Sequence, residues 1–347
     1  MKKLLFGTAI AALFTAPAAA GPIAVTVGGY YNSMVYSVDS DNVGSNFEDI
    51  SLQEDAEIIF KGKGKSDTGL EFGFQVQLEA TTSSDQIDEH YIYVKGGFGK
   101  IEIGAENSAA YKAQVMAPKF LGWKTYDNNF ATWTKVAKYE KPYHDNYSGD
   151  ANKINYYSPR INGVQLVASY TPNGNSTSGT GMVLADDLAA DGKSNNIMSY
   201  GLSYSGEVSG IGVKASYTRE EAEATKGAFV EQDVDETSYG IQLKSGNITF
   251  GGNYFEADES TIGGNNWEIY HYGLAYKMGD TTLGFGIQNQ EDTNKTTGEN
   301  DTTITVIGGS TKLMSGVKLT YSYEMVESDD AAKGDSDFLG AGLLLKF

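Results

Sequence analysis

No cysteine occurs among the 347 residues, and there are only six prolines and two arginines, Arg160 and Arg219. Without cysteine, no disulfide can hold the fold, so an exported chain of this kind must be stabilised in another way. Beyond residue 20 there is no run of 18 apolar residues, which excludes a membrane-spanning helix. Basic side chains are also in deficit. Lys and Arg total 26 against 45 Asp and Glu, a formal charge of −19 that disfavours nucleic acid as a partner and favours cations. The three histidines, His90, His144 and His271, sit at no metal-ligand spacing.

What is present begins with Lys2 and Lys3, followed by the apolar run Leu4–Phe14, Pro17 and Ala18-Ala-Ala20. That order is a secretory signal peptide, with cleavage expected after Ala20 and a mature chain of 21–347. Losing two lysines leaves 24 basic against 45 acidic side chains, or −21. Forty-two glycines and twenty-three tyrosines suit a twisted all-β chain with aromatic girdles.

Alternation with a period of two recurs roughly every 20 residues. Leu70, Phe72, Phe74, Val76 and Leu78 alternate with polar or small neighbours, as do Val213, Ala215 and Tyr217, and Val317, Leu319, Tyr321, Tyr323 and Met325. At the end, Leu339, Ala341, Leu343, Leu345 and Phe347 alternate with small or polar residues, Leu344 excepted. This last segment resembles the closing strand of bacterial outer-membrane barrels. Tyrosines near strand ends (Tyr170, Tyr204, Tyr217, Tyr276, Tyr323) fit an interfacial belt.

Connections alternate short and long. Short turns are expected at 65–69, 96–99, 160–163, 206–210, 245–247, 278–281 and 314–316, and long polar loops near 172–195, 220–234, 257–265, 290–300 and 326–335. The count is sixteen strands, starting near 23, 47, 70, 86, 98, 151, 162, 196, 211, 235, 247, 266, 281, 301, 316 and 336. The expected fold is an all-β, sixteen-stranded antiparallel transmembrane β-barrel, wide enough for an aqueous channel.

One connection, 105–150, is much longer than the others, and such a loop is expected to be functional. Tyr91–Gly104, Asn107-Ser-Ala-Ala110, Asn155-Tyr-Tyr-Ser-Pro159 with Gly163–Tyr170, and Val25–Tyr31 resemble general trimeric porins of Gram-negative bacteria, of the alphaproteobacterial type. The resemblance implies an outer-membrane homotrimer in contact with lipid and lipopolysaccharide. It also implies a third extracellular loop, here 105–150, folded into the lumen as a constriction. Relatives place arginines on the wall and acids on the loop, a pattern this chain departs from.

Alternation places Asp55, Glu57, Glu71, Glu79, Asp88 and Glu102 inward, while the loop carries Lys112, Lys119, Lys124, Lys135, Lys138 and Lys141 beside Glu106, Asp127, Glu140, Asp145 and Asp150. The expected constriction wall is Asp55, Glu57, Glu71, Asp88 and Glu102. The expected loop set is Glu106, Lys112, Lys119, Lys124, Asp127, Lys135 and Lys138. The acids either line the narrowest section or are solvated charges above or below it. The lysines either face the acids or pair with the wall and hold the loop down. Phe120, Trp123, Tyr126, Phe130 and Trp133 read as a helix face anchoring the loop rather than a sugar track.

His144, Asp145 and Ser148 are too close in sequence to imply a triad, so no enzymatic activity is expected. Gly62-Lys-Gly-Lys65 lacks the rest of a phosphate loop and reads as a short turn. The acid clusters Glu220-Glu221-Glu223, Asp258-Glu259 and Asp329-Asp330 read as solvated loop charge; calcium is the ligand such oxygens would suit, and no other cofactor is expected. The functional expectation is passive diffusion of small hydrophilic solutes and ions with weak cation preference. A substrate-selective channel, for example for sugars, and a non-conducting envelope or adhesin barrel are the alternatives.

Overall fold

The computed structural model describes residues 21–41, 50–81, 86–121, 141–144, 147–174, 193–226, 229–259, 266–294, 298–329 and 334–347. In chain order these form β1 (Ala24–Ser40), β2 (Ser51–Lys65), β3 (Glu71–Glu79), β4 (Ile87–Gly96), β5 (Gly99–Ala105), the short helix α1 (Ala109–Ala113) and β6 (Asn152–Tyr157). They continue with β7 (Val164–Asn173), β8 (Lys193–Val208), β9 (Ile211–Lys226), β10 (Phe229–Ser245) and β11 (Ile248–Asp258). The last are β12 (Asn266–Met278), β13 (Thr281–Asn294), β14 (Gly298–Met314), β15 (Val317–Ser328) and β16 (Ser336–Lys346). Each strand pairs with its sequence neighbours, and β1 pairs with β16, closing the barrel. Tyr31 opposes Leu345 at that seam, and Gly29 and Phe347 exchange backbone bonds of 3.1 and 3.2 Å. Closure leaves no sheet edge, so a chain without disulfides or a spanning helix pairs its strand backbone throughout, as a membrane barrel requires.

Alternation sets the two faces. On β12, Tyr270, Tyr272, Leu274 and Tyr276 are exposed, whereas His271 and Ala275 between them are buried. Tyrosines on neighbouring strands make a continuous outer row, Tyr217–Tyr239–Tyr254–Tyr270, with ring centroids 5.2, 6.2 and 5.0 Å apart. On the inner face of β1 and β14–β16 lies an apolar patch of Met34, Ile304, Val306, Val326, Phe338 and Leu344. Leu344, the exception to alternation in the sequence, is 1% exposed within that patch.

Short turns fall at the expected places. Asn162-Gly163 and Ser209-Gly210 have positive φ at both residues, the backbone that a right-twisted two-residue hairpin requires. Observed strand starts lie within three residues of the expected ones except at β2 and β10, which begin at 51 and 229.

Two expectations are corrected. Stretches 220–234 and 290–300 are mostly strand, because β9 runs to Lys226, β10 starts at Phe229, β13 runs to Asn294 and β14 starts at Gly298. There the ladders continue through mostly polar and charged pairs, so hydropathy marks their end too early. Arg219 bridges outward acids there, 2.8 Å from Glu221 and 3.1 Å from Asp235, while Ala222, Ala224 and Val234 stay buried with Ile197 and Tyr147. Glu220, Glu221 and Glu223 therefore lie in β9 and not in a loop. Likewise, Gly62-Lys-Gly-Lys65 belongs to β2, and the turn follows it at 66–70.

Candidate functional site on the inner wall

Near the loop end of β1–β4 the inner wall is acidic. Tyr30 donates to Glu57 at 2.9 Å, and its hydroxyl lies 3.2 Å from the Asp55 carboxylate. Glu57 opposes Glu79 across the β2–β3 ladder, and their carboxylates lie within 4.8 Å of each other and of Asp88. This trio could hold a divalent cation, since oxygen ligands suit calcium. It differs from the acid clusters named in the sequence. Glu89 shares the inward phase of Tyr91, Tyr93 and Lys95, and a register shift between Val76 and Leu78 in the β3–β4 pairing brings Asp88 inward beside it. Glu89 is thus buried, accepting from Gln77 and, at 2.6 Å, from Asn107. Alternation counted from Ile87 reaches Asp88 and passes over Glu89, which belongs to the phase of Tyr91 and Tyr93 beyond the shift.

The other two expected wall acids are paired with lysines. Glu71 lies 2.9 Å from Lys63. Glu102, only 2% exposed, receives Lys100, Lys112 at 3.1 Å, Tyr157 at 3.0 Å and Asn155 at 3.2 Å. A buried carboxylate needs such complete coordination to offset its lost hydration. Lys112, on α1, also lies 3.0 Å from Glu106, so it ties the segment after β5 to the wall. Lys100 and Lys112 both lie over the Tyr91 ring, at 5.8 and 5.0 Å.

The described part of that segment makes a chain of contacts with inner-face residues of strands far from β5. Ser108 caps α1 by accepting from Tyr111 N at 3.1 Å, and Ala109 N donates to Ser169 of β7 at 2.7 Å. Val115 N donates to Ser216 of β9 at 2.8 Å, Gln242 of β10 donates to Met116 O at 2.8 Å, and Ser310 of β14 donates to Phe120 O at 2.9 Å. Gly240 and Gly284 make room for it: a Cβ on either would overlap Val115 O or the Phe120 ring. Phe120 and Leu121 then join the apolar patch of β1 and β14–β16.

A second anchor lies on the return. Asn253 donates to Pro142 O at 2.8 Å. His144 is buried between Thr218 (3.0 Å) and Glu236 (3.2 Å), and burial pulls its imidazole down to about 4. Glu220, fully buried, accepts from Ser148 N and Oγ at 2.9 Å and from Ser199 at 2.5 Å. Lys153 of β6 donates to the carbonyls of Glu106, Gly149 (2.6 Å) and Ala151 (2.8 Å), closing the base of the segment. Burial and the surrounding carboxylates, Glu236 first among them, raise the Tyr147 phenol far above its ordinary value.

Glu106, Lys112 and Lys119 are thus placed, whereas Lys124, Asp127, Lys135 and Lys138 lie outside the described residues, as do Trp123, Tyr126, Phe130 and Trp133. Phe120 is buried at the wall. The structure also brings together lysines that single-strand reading passed over. At the short-turn end, Lys61, Lys63, Lys65, Lys95, Lys100, Lys214, Lys244, Lys277, Lys312, Lys318 and Lys346 all occupy inner-face positions by register. The inner wall is therefore acidic toward the loops on β2–β4 and basic toward the short turns.

Comparison with known proteins gives a consistent result. The family model described as "Gram-negative porin" matches residues 7–337. Among curated proteins, an uncharacterised protein of Rickettsia conorii is 23% identical over 145 residues, and the match spans 35% of this chain and 33% of that relative's length. Among solved structures, OmpT of Vibrio cholerae, an outer membrane protein in trimer form, aligns with a TM-score of 0.67 at 13% identity, covering 94% of this chain and all of that one. An anion-selective porin from Comamonas acidovorans gives 0.64 at 16% identity, with 94% and 100% covered. Salmonella typhi OmpF in complex with daunomycin gives 0.65 at 14%, with 93% and 97% covered. At these identities the structural likeness establishes the fold.

Proposed function

The chain belongs to the Gram-negative porin family and is an outer-membrane barrel, and from that premise we propose that it is a water-filled channel for passive diffusion of small hydrophilic solutes and ions, narrowed by the segment between β5 and β6. The observation that carries the narrowing is the series of bonds from residues 109–120 to inner-face side chains of β7, β9, β10 and β14. A segment bonded to the inner face on strands so far apart around a closed barrel has to cross its interior. Selectivity is then steric plus electrostatic.

Asp55, Glu57 and Asp88 concentrate cations at the loop-side mouth, and the proposed preference is weakly cationic because basic side chains follow along the path. Glu71 and Glu102 contribute less, being matched by lysines. The signal peptide 1–20, a homotrimeric assembly, and contact with outer-membrane lipid and lipopolysaccharide are part of the same reading. It includes no enzymatic step. Ser148 Oγ donates to Glu220, and both nitrogens of His144 are engaged elsewhere, so no nucleophile–base pair forms between them. Burial of Phe120 favours the anchoring role over a sugar-stacking one.

Planar-bilayer recording of the purified protein tests the reading. Steady ohmic conductance with a small cation-directed reversal potential in a salt gradient is expected, moving toward anions in Asp55→Asn plus Glu57→Gln. Absence of conductance would replace the channel by a plugged barrel. An unshifted potential in the double variant would remove these acids from the selectivity-determining section.

A further inference from the structure

Lys214 on β9, Lys244 on β10, Lys277 on β12 and Lys119 on the in-crossing segment line one cavity of about 750 Å³, floored by the turns at Gly246-Asn247 and Gly279. Gln114, Gln242, Thr249 and Thr282 add polar groups, and none of the described lining residues is acidic. All four lysines are exposed to this space. Among the described residues, none of them is in an ion pair, in contrast to Lys63, Lys100 and Lys112. In a chain with 45 acidic and 26 basic side chains, four lysines around one acid-free cavity is a marked segregation of charge.

The lysines are held close by the fold. Lys214 stands opposite Gln242, so Lys244 is its diagonal neighbour on the same face, and Lys277 stands opposite Thr282. The roof is fixed over them because Val115 is bonded to Ser216 and Met116 to Gln242, two bonds that position Lys119 on the facing side. Mutual repulsion of the ammonium groups is relieved by an anion, and the low-dielectric walls of the barrel focus the field into the cavity.

We propose that this cavity is a binding station for small multivalent oxyanions, meaning solutes that carry two or more carboxylate or phosphate groups, at the short-turn end of the channel. Single exposed Lys–carboxylate pairs contribute little. A ligand bridging several lysines gains from the high effective concentration of each further contact. Monovalent anions therefore pass without measurable retention, whereas a tricarboxylate pauses. Glutamine amides and threonine hydroxyls offer partners to its remaining oxygens.

The placement rests on the channel reading, but binding is measurable without it. Citrate, inorganic phosphate and acetate are titrated calorimetrically into the detergent-solubilised protein. The same titrations are made on Lys214→Gln plus Lys244→Gln plus Lys277→Gln, and on Lys119→Gln. Citrate should bind the wild type, acetate should not, and the triple variant should lose at least tenfold in affinity. Affinity should also fall steeply with added salt as counter-charges are screened. In bilayers, citrate added on the short-turn side should reduce current at lower concentration than citrate added on the loop side. Citrate affinity equal in wild type and triple variant, or absent in both, overturns the site. A barrel that binds citrate but carries no current refutes the channel and leaves the site standing.

Discussion

Acidification should loosen the second anchor of the segment between β5 and β6, and His144 sets the size of the effect. Its imidazole is fully buried and held at about 4, against about 6.5 when the segment is undocked and solvated. The undocked state therefore binds more protons between these values, so docking weakens as pH falls through that window and levels off below it. The loss is about 1 kcal/mol at pH 6, about 2 at pH 5 and about 3 at pH 4. Glu236 and Glu220 flank the site and temper the shift. The Ser148 amide, which donates to Glu220, reports docking through hydrogen exchange. Corrected for intrinsic rate, its protection should fall about twentyfold from pH 7 to pH 5, and the decline should vanish in His144→Asn. Protection independent of pH, or rising on acidification, would mean that the imidazolium pairs with Glu236 in the docked state and would refute the reasoning.

Phe120→Ala should cost the first anchor about 3–5 kcal/mol, raising open-channel conductance and current noise while the heat-modifiable gel mobility of the barrel stays unchanged. Gly284→Val should do the same from the wall side, because its side chain would occupy the space of the Phe120 ring. Glu102→Gln leaves Lys100 and Lys112 without their shared carboxylate and should shift the reversal potential toward anions. The further change Lys112→Met should restore most of that shift.

Much of the fold was legible because the barrel imposes one rule on every strand. Apolar residues at alternate positions, as in Leu70–Leu78 and Val317–Met325, mark the lipid face, and Gly- or Asn-bearing turns mark the short connections. The rule stops where lipid stops. β9 and β10 continue past Arg219 as a ladder of charged pairs, so Glu220 looked like loop charge while it is a buried acceptor for Ser148. Alternation also changes phase at irregular pairing: counted from Ile87 it finds Asp88, and only the phase beyond the shift at Val76 finds Glu89. Inward direction was readable for Asp55 and Glu57, but which charges meet was not. Lys63 reaching Glu71, Lys112 bridging Glu102 and Glu106, and four lysines gathering around one cavity are products of register and of the segment between β5 and β6. Leu344 was visible as a break in the pattern, and its partner Phe120 lies more than two hundred residues away in sequence.

The central claim is that residues 109–120 cross and narrow the channel. The direct measurement is polymer-exclusion recording in bilayers of a variant in which these residues are replaced by a short Gly-Ser linker, compared with the wild type. A higher single-channel conductance and a larger excluded polymer size are expected. Unchanged values for both, in a variant that retains barrel circular dichroism and heat-modifiable mobility, would contradict the account.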